Sequence, residues 1–157
     1  MILLCGQKVG VQAMLYFFPE VAVCYDDMTK EIAKELVIEK YDSLPTYSDT
    51  LKDSVIVSVH GREIVGPEWT EQYECFNIHP YLYCYKGADP IGKAMKAGNR
   101  HASVGLHRMT SEVDQGEVLL EVFTELKHLK GYDSIYDQLY PLYHACFVAL
   151  KNYCVTI

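Results

Sequence analysis

Short apolar runs that end in glycine or a turn alternate along this chain with segments of helical periodicity. ILLCG (2–6) reads as a buried strand that stops at Gly6. VQAMLYFF (11–18) follows as a compact helix halted by Pro19. VAVCYDD (21–27) is a second strand, and TKEIAKELVIEK (29–40) mixes charged and apolar positions as a helix does. SVIVSVHG (54–61) is dense in β-branched residues and gives the clearest strand signal. ECFNIH (74–79) adds a short strand. PIGKAMKAG opens with Pro90 and closes with Gly98, the polarity expected of a helix. ASVGLHRM (102–109) and GEVLLEVFTEL (116–126) supply two more strands. Asp133 or Ser134 is placed to cap a final helix to about residue 152, with a kink expected at Pro141.

Strands alternating with helices predict an α/β fold, a mostly parallel sheet flanked by helices and less regular toward the end. No repeat, linker or low-complexity tract divides the chain, so residues 1–157 are expected to form one domain. Ligands of open α/β sheets collect at the carboxyl ends of the strands. Gly6, Gly61 and His79 all fall at such ends.

Composition narrows the partners. A net charge of −7 excludes a general nucleic-acid binder, because phosphate neutralisation needs clustered Lys and Arg. Lys93/Lys96 and Lys127/Lys130 read as solvated faces. The six cysteines (5, 24, 75, 84, 146 and 154) form no Cys-x-x-Cys pair, and several lie in apolar runs. Buried free thiols and a reducing, cytoplasmic compartment are expected. MILLCGQKVG lacks a basic leader region and reads as a first strand, and no apolar stretch is long enough to span a bilayer. A small-molecule partner is expected, with no nucleic acid and no membrane.

The chemistry gathers around residues 76–90, FNIHPYLYCYKGADP. Asn77 and His79, two apart on an extended segment, project to the same side and can address one oxygen. The pieces Asn77-Ile78-His79-Pro80, Tyr85-Lys86-Gly87, Val104 to His107 and Asp114-Gln115-Gly116 together resemble the signature of the folate-dependent formyltransferases. The resemblance is good over about residues 54–126 and includes the spacing from His79 to Asp114. It implies a Rossmann-like formyltransferase fold. It also implies transfer of a formyl group from 10-formyl-tetrahydrofolate to a primary amine, without a metal, by Asn77, His79 and Asp114. The chemistry is coherent on its own terms. Attack on a formyl carbon develops an oxyanion that an amide and an imidazole can hold. Asp114 would favour the protonated imidazole and relay a proton from the attacking amine to the departing nitrogen. Each residue also has a plainer reading: Asn77 as a turn cap, His79 as a polar strand end, Asp114 as a turn stabiliser. His107 is either a substrate contact or structural.

The resemblance places the pterin between Arg62, Glu63, Ile64 and Val65 on one side and Ser111, Glu112 and Val113 on the other. Ile64 and Val65 could instead be ordinary core. Gly61 to Pro67 carries one residue more than the family loop. On the acceptor side, Lys8 between Gly6 and Gly10 is a candidate phosphate contact or part of a plain turn. Tyr136 stands where glycinamide ribotide enzymes carry a glutamate. These departures favour an amino-sugar nucleotide over glycinamide ribotide. The extra carboxyl-terminal domain of methionyl-tRNA formyltransferases and the regulatory domain of formyltetrahydrofolate hydrolases are not expected here. Tyr81, Tyr83 and Tyr85 either line an acceptor pocket or pack on the sheet. Competing readings are a non-catalytic folate- or nucleotide-binding protein, a 10-formyl-tetrahydrofolate hydrolase, and a metal-dependent hydrolase using His60, His79, His107 and Asp114. No pair among those four has a local metal-ligand spacing. The tyrosine-rich face of the final helix (Ile135, Tyr136, Leu139, Tyr140, Tyr143, Phe147) is either a homodimer surface or helix-on-sheet packing.

Overall fold

The computed structural model describes residues 1–45 and 54–155. Along the chain run β1 (Ile2–Cys5), α1 (Gln7–Phe17), β2 (Val21–Cys24), α2 (Asp27–Glu35), β3 (Glu39–Tyr41) and β4 (Ile56–Val59). Then follow α3 (Pro67–Thr70), β5 (Cys75–Pro80), α4 (Pro90–Lys96), β6 (His101–Arg108), β7 (Val118–Glu125) and α5 (Tyr132–Val155). The strands form one sheet in the order β3-β2-β1-β4-β5-β6-β7. The first five are parallel, and β6 and β7 run antiparallel to their neighbours. This is the mostly parallel α/β sheet that the alternating pattern predicts, with the less regular part at the end. The order reverses between β1 and β4, where an open sheet of this kind leaves a crevice for a ligand.

Alternation along each strand divides the core in two. Leu3, Cys5, Ala22, Val57, Val59, Phe76 and Ile78 face α1 and α5 in the larger cluster. Ile2, Leu4, Val21, Val23, Ile56 and Cys75 face the smaller cluster, which Trp69 and Tyr73 cover. The final helix buries Ile135, Leu139, Tyr143, Phe147 and Leu150. Most of that stripe is therefore taken up by helix-on-sheet packing within the chain, with Tyr140 half-buried. Helical geometry continues through Pro141. The proline costs about 3 kcal/mol by removing one helical bond. Burying Ile135, Leu139, Phe147 and Leu150 offsets this, at about 1.5–3 kcal/mol per side chain. Pro141 also lies on the exposed side of the helix, where water reaches the freed carbonyl.

Several expectations are corrected. α1 begins at Gln7 rather than residue 11, because the Asp26 carboxylate accepts from the Gln7 amide at 2.6 Å and holds the first turn. The stretch read as one helix from 29 to 40 ends at Leu36. Val37 is left-handed (φ 57), and residues 39–41 then pair with β2 as an edge strand. Neither Asp133 nor Ser134 caps α5: Gly131 (φ 91) precedes it and Ser134 Oγ meets His128 Nδ1 at 3.0 Å instead. The short α3 went unread; Pro67 starts it at the first helical position.

At the far end of β5 and β6 the Arg108 guanidinium lies 5.5 Å from the Phe76 ring centre and 5.4 Å from that of Tyr153. It also pairs with Glu74 and Glu117 and donates to the Tyr153 hydroxyl. Directly behind it, a Cβ on Gly116 would lie 1.9 Å from the Arg108 carbonyl oxygen. Backbone cannot yield as a side chain can, so Gly116→Ala is expected to destabilise the fold by about 3 kcal/mol or more. A thermal melt within a degree or two of wild type would show that the turn relaxes freely. Cys5, Cys24, Cys75 and Cys146 are buried and all six thiols are free. Among the described residues no helix is long and apolar enough to cross a membrane.

Candidate active site

On β5, Phe76 and Ile78 point into the larger cluster, so Asn77 and His79 project from the opposite face. Antiparallel pairing sets Asn77 opposite His107 of β6. The chain then loops out and returns beside β6, where the Arg108 amide donates to the Glu117 carbonyl at 2.9 Å. Gly116 permits that close return. The loop delivers Asp114, itself left-handed at φ 54, beneath both histidines.

The carboxylate is densely held. Asn77 Nδ2 donates to Asp114 Oδ1 at 3.1 Å, and the Gly87 amide donates to Oδ2 at 2.7 Å. His79 Nε2 is 3.1 Å from Oδ2, and His107 Nε2 is 3.4 Å from Oδ1. The His107 contact is out of line for a hydrogen bond, and it acts as a close electrostatic neighbour. His79 Nδ1 lies 2.7 Å from the Pro80 carbonyl oxygen, and its Nε2 lies 3.2 Å from the Gly87 carbonyl oxygen. Both ring nitrogens thus face acceptors alone, and a ring carrying both protons satisfies all of them. Burial by itself would raise the Asp114 carboxyl. His107, His79 and the Gly87 amide outweigh that and hold it well below the usual carboxylate range. Asn77 spends one amide hydrogen on Asp114 and keeps a second for a ligand.

Above this group opens a cavity of about 640 Å³ at the carboxyl ends of β1, β4 and β5. Four non-glycine residues with left-handed backbone line it: Gln7 (φ 58), His60 (φ 61), Asp89 (φ 52) and Asp114. Such conformations are disfavoured for residues with side chains and gather at functional sites. A smaller groove of about 370 Å³ adjoins the cavity and shares Gln7, Arg62, Tyr132 and Tyr136 with it.

The expected site residues are distributed as follows. Asn77, His79 and Asp114 meet at the cavity floor, and Arg62, Glu63, Ile64, Val65 and Val113 line its walls. Ser111 and Glu112 are exposed and lie outside it. The Thr110 hydroxyl binds the Glu112 amide and carbonyl, a tight local turn that puts Met109, Thr110 and Val113 on the inner side. Tyr81 is corrected from acceptor contact to core: it is fully buried, where its left-handed turn (φ 56) sends the ring toward Tyr85. Tyr83 lies on the surface against Phe123. Lys8 borders only the smaller groove, and His107 is buried behind Asp114. The Glu63 carboxylate faces away from a ligand role alone, since it accepts from Tyr25 Oη at 2.9 Å and from the Leu44 amide at 2.8 Å. It ties the longer 61–67 loop to the neighbouring strand ends. Tyr132 was not expected on this wall, and His60 was expected near His79, His107 and Asp114 only as a metal ligand. His60 carried a signal, a strand end followed by glycine. Among the described residues no set of three His, Cys, Asp or Glu side chains is arranged to hold a metal ion.

Comparison with known proteins bears on the family and the fold. Residues 34–150 match the formyl transferase family. A methionyl-tRNA formyltransferase of Thermotoga neapolitana is 29% identical over 108 residues, covering 67% of this chain and 34% of that protein. The chain thus spans about a third of the length of such curated relatives. The solved phosphoribosylglycinamide formyltransferase of Streptococcus pneumoniae superposes with a TM-score of 0.78 at 23% identity, covering 96% of each chain. The N-formyltransferase of Helicobacter canadensis, solved with folinic acid and dTDP-3-aminofucose, gives 0.71 at 14% identity, covering 96% of this chain and 62% of that one. The chain belongs to the formyl transferase family.

Proposed function

We propose that this protein is an N-formyltransferase that moves a formyl group from 10-formyl-tetrahydrofolate to the primary amine of a small molecule. The observation that carries the reading is the convergence of Asn77, His79 and Asp114 on one cavity floor. The cavity suits the donor. Its volume lies within the range of about 300–1,000 Å³ common for small-molecule sites. Ile64 stands 78% exposed on the wall, an apolar side chain with nothing over it. Ile64, Val65, Met109 and Val113 would hold a flat heterocycle, and the donor would supply the activated formyl carbon. The free amide hydrogen of Asn77 and the imidazole of His79 would take up charge as it grows on the formyl oxygen. Asp114, 3.1 Å from its Nε2, keeps the imidazole oriented.

The acceptor would enter through the adjoining groove. The Gln7 amide at the start of α1 is already taken by Asp26, which disfavours a phosphate monoester there. We favour an amino-sugar nucleotide over glycinamide ribotide, its sugar and base rings lying on the wall formed by Tyr132, Tyr136 and Tyr140. The decisive experiment is formyl transfer from 10-formyl-tetrahydrofolate to a panel of amines, followed by mass. The panel holds glycinamide ribotide, several nucleotide-linked amino sugars and a blank for hydrolysis. Gain of one formyl group on an amino sugar is the expected result. Folate binding without product in any arm would favour a binding protein, and free formate in the blank alone would favour a hydrolase.

A further inference from the structure

Formyl transfer leaves one proton to be placed. A primary amine has a pKa of about 8–10, so at neutral pH the acceptor arrives mostly as an ammonium ion that cannot attack. Asp114 is a weak base for this proton, because several donors hold its carboxylate ionised. Both nitrogens of His79 already face acceptors.

His60 is placed otherwise. It ends β4 at the point where strand order reverses, between β1 and β4. Its Nδ1 is buried without a hydrogen-bond partner and packs over Gly6, where an added Cβ would sit 3.1 Å away. The ring stands edge-on to Tyr136 of α5, with centroids 6.1 Å apart. With Nδ1 shut in, Nε2 is the nitrogen left to face the cavity that the residue lines. Tyr136 lines both the cavity and the adjoining groove, and His60 lines the cavity beside it.

We propose that His60 is the base that takes the proton from the acceptor ammonium; the inference rests on the formyl-transfer reading above. Nε2 accepts one proton from R–NH3⁺, giving a neutral amine and an imidazolium. The freed electron pair forms the new C–N bond to the formyl carbon. The amine's second proton goes to the departing donor nitrogen as its C–N bond breaks, and the imidazolium returns its proton to solvent. Nothing is oxidised or reduced. The groups facing the ring agree with this role. Burial pushes the His60 pKa below the ordinary histidine value and Arg62, in its own loop, lowers it further. Its own carbonyl and Asp26, at the end of β2, oppose these without reversing them, and Tyr136 faces it from α5. The net downward shift favours the neutral ring, the form that can accept a proton.

The test uses the full chain, 10-formyl-tetrahydrofolate and an amine that wild type formylates. His60→Asn suits the left-handed backbone, and His60→Gln serves as a second variant if the first does not fold. At neutral pH kcat/KM is expected to fall about 100-fold with donor affinity unchanged. Free imidazole should restore the rate. The deficit should also shrink by about tenfold per pH unit as neutral amine accumulates. Wild-type rates in both folded variants, or a loss that is uniform with pH and indifferent to imidazole, would overturn the proposal. If wild type formylates none of the amines, the transfer reading itself fails, and His60 with it.

Discussion

His79→Ala is expected to lower kcat by about 1,000-fold while leaving donor affinity within about threefold of wild type. The side chain removed lines the cavity and reaches Asp114, with Nε2 3.1 Å from the carboxylate. It takes away a donor to the developing oxyanion, and such a donor is worth about 100–1,000-fold. The walls proposed to hold the donor, Ile64 and Val65 among them, are untouched. A folate titration and single-turnover rates separate the two effects. A variant keeping a tenth or more of the rate, on the order seen for spectator residues, would remove His79 from the chemistry.

Asp114→Asn should be costly in two ways. The new amide keeps one oxygen but turns an NH2 toward groups that are already donors: the Gly87 amide, Asn77 Nδ2 and the histidines. Breaking a buried charged pair from one side costs about 3–5 kcal/mol, so a large fall in thermal midpoint is expected. Activity should fall by about 100–10,000-fold, because His79 loses its orienting partner. The pH dependence gives the sharper signature. The folded-state pKa of Asp114 is depressed, so its contribution to stability is full above the unfolded value. That contribution is lost as pH falls through the ordinary carboxylate range toward the folded value. Acid titrations of stability should therefore converge for wild type and variant at low pH and separate toward neutrality. Parallel curves across the whole range would show that Asp114 is not the anchor of the site.

Much of this was legible in the order of residues. The spacing of Asn77 and His79 needs only strand alternation to put both on one face. Asp114 needs only an antiparallel return, which the β6 pattern and Gly116 announce. Other features depend on partners far along the chain. α1 starts early because of Asp26, nineteen residues after Gln7. Residues 39–41 carry no apolar alternation and become a strand only because β2 offers an open edge. Ser111 and Glu112 sit in the expected loop, yet the Thr110 hydroxyl decides which of its side chains turn inward. The Glu63 tie to Tyr25 and Leu44 joins segments that local pattern treats separately.

The Arg108 sandwich gives the site an order of assembly. Its carbonyl receives the His107 ring nitrogen at 2.8 Å and fits against Gly116, the hinge of the loop that bears Asp114. Its guanidinium, however, is clamped by Tyr153 in the last turn of α5. During vectorial synthesis, residues 77 and 79 emerge long before that tyrosine. β5 is thus made early and secured only once the last turn of α5 has emerged.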